Sequence, residues 1–290
     1  MTSYSIDGYT QLVGLLGWPV EHSLSPAMHN AAFDALGLNY CYVPLPVEPG
    51  QVEVAVRGLT ALGFRGANVT VPHKQAVIPA LDSIAPDARE LGAVNTLVVG
   101  RDASGTPAIS GYNTDARGFV GALRQGGFEP QERGRAVVVG AGGAAWAVVF
   151  GLLQSGIGEI VLLNRTLKRA QALVADLGGE RALPLTPETL VESARAADLL
   201  VNATTVGMWP RVDDSVWPDG VAVPAHLTVF DLVYNPPETR LLRQARESGA
   251  HVIDGLGMLV RQGALAFEMW TGETAPVEVM REACERALGR

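Results

Sequence analysis

Apolar positions along this chain alternate between two patterns. Short unbroken apolar runs, bounded by glycine, proline or polar residues, read as buried strands at 12–16, 40–45, 66–71, 94–99, 108–110, 136–139, 159–163, 199–202, 229–232 and 251–253. Between most of them apolar residues recur at the helical period, at 26–36, 52–62, 116–123, 144–155, 167–177, 187–194 and 238–248. Ser25 before Pro26 reads as an N-cap followed by a first-turn proline, and Gly37 as the stop of that helix. The stretch 74–91 reads as helical with a break near Pro86. Leu183-Pro184 reads as a turn, and 207–224 as a long loop rich in proline and tryptophan. Runs 94–99 and 108–110, joined through Asp102-Ala103-Ser104-Gly105, read as a hairpin. The last two helices, 256–271 and 276–288, have no partner strands and are expected to pack back on the first part of the chain.

Strand–helix alternation of this kind predicts an α/β protein with parallel, helix-flanked sheets. The polar, turn-rich segment 126–134 separates two such series. Two domains are expected, 1–114 with 256–290 and 115–255, the first with a mostly parallel sheet and the second doubly wound. Length and composition agree: 290 residues, 48% hydrophobic, are enough for two cores. The net charge of −8, with both signs interspersed, leaves no electrostatic footprint for nucleic acid. Cys41 and Cys284 match no metal-ligand spacing and read as free thiols, although a disulfide between them is open. The five histidines form no metal motif. Residues 1–10 lack a basic region leading into an apolar core, and no apolar run is long enough to span a membrane, so a metal-free cytoplasmic protein is expected.

Chemistry enters at Gly140-Ala141-Gly142-Gly143-Ala144-Ala145, which follows the apolar run Val137-Val138-Val139 and opens a helical one. A glycine turn between strand and helix exposes main-chain amides and a helix N-terminus, a cradle for a pyrophosphate. Alanine in the last position is allowed by the looser form of this fingerprint; a plain tight turn is the alternative. Recognition of a ribose 2′-hydroxyl would place an acid at the end of the next strand. Here Asn164-Arg165-Thr166-Leu167-Lys168-Arg169 stands instead, with no acid before Asp176. Arg165, Lys168 and Arg169 share one helix face, and guanidinium forks match a 2′-phosphate, which points to NADP(H). A solvated cationic face is the alternative. Asn202-Ala203-Thr204 follows a strand in the second half of the sheet, where a nicotinamide would lie, or forms an ordinary turn.

Upstream, Ser23 and Ser25 put two hydroxyls beside free amides, suited to a small carboxylate, though Ser25 can simply cap its helix. Asn68-Val69-Thr70-Val71-Pro72-His73-Lys74 ends a strand, placing Thr70 and Lys74 where ligands of open α/β sheets sit. Asn95-Thr96 and Asn113-Thr114-Asp115 add amides, hydroxyls and one carboxylate, which can also cap the following helix. Lys74 beside Asp115 would make a proton-carrying pair for hydride transfer at a carbinol without a metal.

These stretches, together with Ala27-Met28-His29-Asn30 and Gly257-Met258-Leu259-Val260-Arg261-Gln262, resemble shikimate dehydrogenases over essentially the whole chain. The resemblance implies an N-terminal substrate domain, a Rossmann-type NADP domain, and a catalytic cleft between them that closes on the ligands. It implies reversible reduction of 3-dehydroshikimate to shikimate with NADPH, a step of the aromatic amino acid (chorismate) route. Ser23 and Ser25 would hold the substrate carboxylate; Thr70, Asn95, Asp115 and Gln262 would bind ring hydroxyls. Lys74 and Asp115 would serve catalysis and Tyr234 would line the pocket. Arg165 and Arg169 would hold the adenosine end, with Asn164 and Thr166 beside them. Thr204, Gly255 and Met258 would lie toward the nicotinamide. A monomer or a homodimer fits equally. Three neighbours stay open: a quinate/shikimate dehydrogenase of relaxed range, a non-catalytic NADP-binding sensor on the same fold, and a methylene-tetrahydrofolate dehydrogenase-like enzyme. Ser25 and the basic 164–169 segment favour shikimate and NADP over quinate and NAD; Lys74 and Asp115 favour catalysis over sensing; the serine pair disfavours the folate enzyme.

Overall fold

A computed structural model describes residues 6–177 and 181–289. The chain forms two compact units, Met1–Thr114 with Gln262–Arg290, and Asp115–Arg261.

The first unit opens β1 (Gln11–Gly17), α1 (Ser25–Ala35), β2 (Tyr40–Pro46), α2 (Val52–Ala61) and β3 (Gly66–Val69). It continues β4 (Ser83–Ile84), α3 (Pro86–Glu90), β5 (Thr96–Arg101) and β6 (Pro107–Tyr112). Its six strands run in the order β2-β1-β3-β5-β6-β4. β1 pairs parallel with β2 and β3, while β5 is antiparallel to both β3 and β6, as the hairpin reading expects.

The expected helix over 74–91 does not form. Turns and a short 3₁₀ segment (Ile78–Ala80) lead instead into β4 and α3. Pro79 lacks an amide donor and disfavours a helical residue before it, as does Pro86. The extended backbone between them pairs with β6: Asp82 N–H bonds the Ile109 carbonyl at 3.0 Å, and Ile109 N–H bonds the Asp82 carboxylate at 2.7 Å.

The second unit contains α4 (Asp115–Gln125), β7 (Arg135–Val139), α5 (Gly143–Gln154), β8 (Glu159–Asn164), α6 (Leu167–Leu177) and β9 (Arg181–Pro184). After these come α7 (Pro187–Arg195), β10 (Leu199–Asn202), β11 (Thr228–Asp231), α8 (Arg240–Glu247) and β12 (His251–Ile253). Its sheet is parallel throughout, in the order β12-β11-β10-β7-β8-β9. Strand order reverses beside β7, where the doubly wound fold binds its ligand. Alternate residues serve opposite cores: Ala136 and Val138 face one with Phe119 and Val148, Val137 and Val139 the other with Leu190 and Leu241. Burial on both faces is what turns these strands into continuous apolar runs. Leu183-Pro184, expected as a turn, ends the edge strand β9, where a proline costs no inner ladder bond.

Two helices follow, α9 (Leu256–Thr271) and α10 (Val277–Ala287). The division between units falls after Arg261, whereas the sequence places it after 255. The first turns of α9 belong to the second unit because Met258 packs against its core and Arg261 bonds the Gln125 amide oxygen at 2.9 Å. The remainder of α9 and α10 close the first unit. Phe267 stacks with His29 and Phe33, Trp270 packs tilted against His29 and Tyr42, and Trp270 donates to the Leu97 carbonyl at 2.9 Å.

His29 is fully buried, its ring 4.5 Å from that of Tyr42. Burial holds its pKa down at about 3, with the Asn68 side chain pulling weakly the other way. The native ring stays neutral while the unfolded chain takes up a proton below its ordinary 6.5. The resulting stability is complete above that value and falls by about 1.4 kcal/mol per pH unit toward pH 3. Urea midpoints of wild type and His29→Phe, compared from pH 8 to pH 4, are expected to diverge, wild type losing more in acid. Parallel curves would overturn this; effects of other titrating groups cancel in the difference.

Candidate active site

Three segments leave one end of the first unit's sheet. β1 and β3 run parallel, so the chain after each emerges there, and Thr70 N–H to the Leu16 carbonyl (2.8 Å) and Trp18 N–H to the Val71 carbonyl (3.1 Å) lash the two exits together. β5, being antiparallel to β3, begins at that end, where Val69 N–H bonds the Asn95 carbonyl at 2.8 Å. The segment after β3 is tied in as well: the Lys74 carbonyl accepts Val94 N–H at 2.8 Å. Ser23, Ser25, Thr70, Lys74 and Asn95 are thereby gathered at one sheet end.

Asn95, only 2% exposed, is the hub. Its amide donates to Thr114 Oγ1 at 2.9 Å and to Gln262 Oε1 at 3.5 Å, and its oxygen accepts Thr114 N–H at 2.8 Å. This brings the α9 glutamine to a residue 167 positions earlier in the chain. His73 takes a structural part: it is 1% exposed and its Nε2 pairs with the Val47 carbonyl at 2.6 Å.

Ser25 is not the N-cap expected of it. Leu24 holds that position without a side-chain cap, and Ser25 is the first residue of α1. The Ser23 hydroxyl accepts the Ser25 amide at 3.2 Å, a short-range bond that competes with capping. The buried Ser25 side chain lies within reach of the Tyr42 phenol and lowers its pKa. Tyr42 in turn donates to Asn68 Oδ1 at 2.9 Å, and Asn68 donates to Thr96 Oγ1 at 3.3 Å. Burial drives the Tyr42 phenol above its usual range, partly offset by Ser25, so it remains a neutral donor. Tyr42 and Asn68 escaped assignment from sequence. For Asn68 the signal was a polar residue in a strand with no exposed position, which must find partners inside.

The second unit carries the other set. Gly140 has φ +117°, a conformation L side chains avoid, and a Cβ there would lie 3.0 Å from the Ala203 carbonyl. Gly142, the N-cap of α5, and Gly143 open onto solvent, so their amides are accessible and no acid stands in the first turn. Ala144 is exposed; Ala145 is fully buried against the sheet, which explains a small residue at the fingerprint's last position. Asn164, ending β8, donates to the Thr166 carbonyl at 2.9 Å and shapes the turn into α6. Arg165, Lys168 and Arg169 are exposed and make no ion pair with an acid among the described residues. The accessible amides and the acid-free cationic turn fit a dinucleotide with a phosphorylated ribose.

Thr204 Oγ1 donates to Asn202 Oδ1 at 2.7 Å and accepts Val206 N–H at 3.1 Å. Gly255 approaches β11 so closely that a Cβ would stand 2.2 Å from the Leu232 carbonyl. Met258, half-buried, starts α9 just beyond. Tyr234, also half-buried, lies in the loop after β11. Asp115, 7% exposed, is the first residue of α4, one place beyond a capping position. No three His, Cys, Asp or Glu side chains group as metal ligands among the described residues, and no described helix is long and apolar enough to cross a membrane.

Comparison with known proteins agrees on one family. Residues 15–97 match the shikimate dehydrogenase substrate binding domain, 123–216 the shikimate/quinate 5-dehydrogenase model and 255–285 the shikimate 5′-dehydrogenase C-terminal domain. The chain is 51% identical over 286 residues to the shikimate dehydrogenase (NADP(+)) of Methanopyrus kandleri, covering 97% of each chain. The shikimate 5-dehydrogenase of Thermus thermophilus, solved with NADP(H) and shikimate, is 42% identical with a TM-score of 0.85, over 96% of this chain and all of that one. A shikimate dehydrogenase solved with NADP⁺ is 38% identical with a TM-score of 0.89, over 99% and 98% of the two chains. A sheet end lined with hydroxyls, amides and a lysine, a doubly wound unit with an acid-free cationic turn, and this likeness along the whole chain agree: the chain belongs to the NADP-dependent shikimate dehydrogenase family.

Proposed function

We propose that this chain carries out the family's reaction, the reversible NADPH-dependent reduction of 3-dehydroshikimate to shikimate, with the following division of labour. Ser23 and Ser25 hold the ring carboxylate. Thr70, Lys74, Asn95, Asp115 and Gln262 fix the ring hydroxyls, and Tyr234 lines the pocket. The glycine turn 140–145 takes the pyrophosphate, while Asn164, Arg165, Thr166 and Arg169 take the phosphorylated ribose. Thr204, Gly255 and Met258 take the nicotinamide end. When bound, the dinucleotide donates hydride to the carbonyl carbon or removes it from the carbinol. The protein's task is the proton. Lys74 delivers one to the oxygen as the carbonyl becomes an alcohol, and takes it back in the reverse direction, with Asp115 as its partner. The observation that supports this best is the shared sheet end, where the serine pair and Lys74 emerge with Asn95 and Gln262 on β1, β3, β5 and α9. Cys41 and Cys284, free and buried thiols, suit a reducing cytoplasm.

A spectrophotometric panel of shikimate and quinate, each with NADP and NAD, tests the reading. Shikimate with NADP is expected to give the highest kcat/KM. Absence of shikimate turnover with NADP would sink it, and a dominant rate with quinate and NAD would move the chain to the quinate-using branch.

A further inference from the structure

A second buried polar network stands behind the cofactor loop of the second unit. Asp231, the last residue of β11, has no exposed surface. Its carboxylate receives three hydrogen bonds. Asn202 Nδ2 donates to Oδ1 at 2.9 Å, Val233 N–H donates to the same oxygen at 3.1 Å, and the Thr239 hydroxyl donates to Oδ2 at 2.6 Å. Asn202, also fully buried, passes the constraint on. Its oxygen accepts both the Thr204 amide (3.1 Å) and the Thr204 hydroxyl (2.7 Å), and its amide donates to the Val206 carbonyl at 3.3 Å. The loop so held packs on the glycine turn, since a Cβ at Gly140 would lie 3.1 Å from Thr204 Cγ2.

Burying an acid is costly unless every lone pair in use is met. Burial raises the Asp231 carboxyl, the bonds from Thr239, Val233 and Asn202 offset part of that rise, and it stands at about 6. A structural brace alone would be served by an apolar residue at the end of a parallel strand. An acceptor-only group at this place does something an apolar one cannot: it dictates which way the Asn202 amide faces. With its amide drawn to Asp231, Asn202 must present its oxygen to Thr204.

We propose that Asp231 is a positioning residue for the reaction, orienting Asn202 so that the Thr204 loop holds the nicotinamide end of the cofactor in a single geometry. The placement of Thr204 at that end rests on the functional reading above. Asp231 touches neither ligand; it acts through Asn202.

Three variants test it at pH 8, read by kcat, by the fluorescence of enzyme-bound NADPH, which reports the nicotinamide's surroundings, and by affinity for 2′,5′-ADP, which engages only the adenosine end. Asp231→Ala is expected to lower kcat on the order of 10- to 100-fold, the usual result of a misplaced reacting group. It should also alter the bound-NADPH emission and leave 2′,5′-ADP affinity within about twofold. Asp231→Asn keeps Oδ1 for Asn202 and Val233, and its new amide can donate to Thr239 Oγ1 once that hydroxyl turns. It is expected to stay within about threefold of wild type. Asn202→Asp sets two carboxylates face to face and should fail.

Wild-type kcat and emission in folded Asp231→Ala, or equal losses for 2′,5′-ADP, would overturn the proposal. If Asp231→Ala does not fold, Asn202→Asp decides, and wild-type kcat and emission in that variant overturn the proposal. The NADPH emission arm uses no shikimate. A wild type that fails to turn over shikimate would thus count against the proposed function, while unchanged emission in the variants would count against Asp231 alone.

Discussion

Lys74→Ala is expected to lower kcat for shikimate oxidation on the order of 10²- to 10⁴-fold with the fold intact, the range usual for a general acid or base. The main chain at this position is pinned independently of the side chain, through the Lys74 carbonyl to Val94 N–H and through His73 to the Val47 carbonyl. Truncation should therefore remove the ammonium group and little else. Shikimate KM should rise less than kcat falls if Ser23, Ser25 and Asn95 hold the ring as proposed. Steady-state rates together with thermal denaturation read this directly. Near-wild-type kcat in a folded variant would remove Lys74 from the chemistry.

The second large effect concerns cofactor choice. Arg165→Ala combined with Arg169→Ala is expected to weaken NADPH binding on the order of 100-fold, two charge-assisted hydrogen bonds at the lower end of their range because both side chains are exposed. NADH has no 2′-phosphate for these groups to meet, so its affinity should move by about twofold or less, through loss of general positive potential. Fluorescence titration of both cofactors against one preparation checks this. Equal losses for NADPH and NADH would mean that the two arginines serve only as a solvated face, and the selectivity of the site would have to arise elsewhere.

Much of the second unit could be read directly from residue order. Its strands lie in a sheet covered on both faces and read as apolar runs, and the helices between them carry an apolar stripe, except α5, which is buried along most of its length. The glycine turn and the basic segment after β8 are local features whose chemistry depends on neighbours in the chain. The first unit was less legible where long-range pairing outweighed local preference. Residues 74–91 have helical composition, yet the backbone around Asp82 finds its partners on β6, and Pro79 removes the competing helix. The β9 edge was missed because Leu183-Pro184 has turn chemistry, and only the exposed flank of β8 makes a strand of it.

The functional residues divide along the same line. Ser23, Thr70, Lys74 and Asp115 carry groups whose chemistry is evident from residue type and from position beside a strand or helix end. That the Ser25 amide goes to Ser23, that Asn95 gathers Thr114 and Gln262, and that Asp231 accepts the Asn202 amide are facts of a folded interior. A buried polar atom must find a partner wherever the packing brings one, and the partners here lie as far apart in the chain as Asn95 and Gln262. Residue order alone therefore pointed to the fold class and the cofactor, and marked out the candidate reacting groups, since these follow from local periodicity, charge and turn chemistry. The tertiary structure decided which hydrogen bonds hold those groups in place, because burial forces pairing between segments that nothing in their local sequence connects.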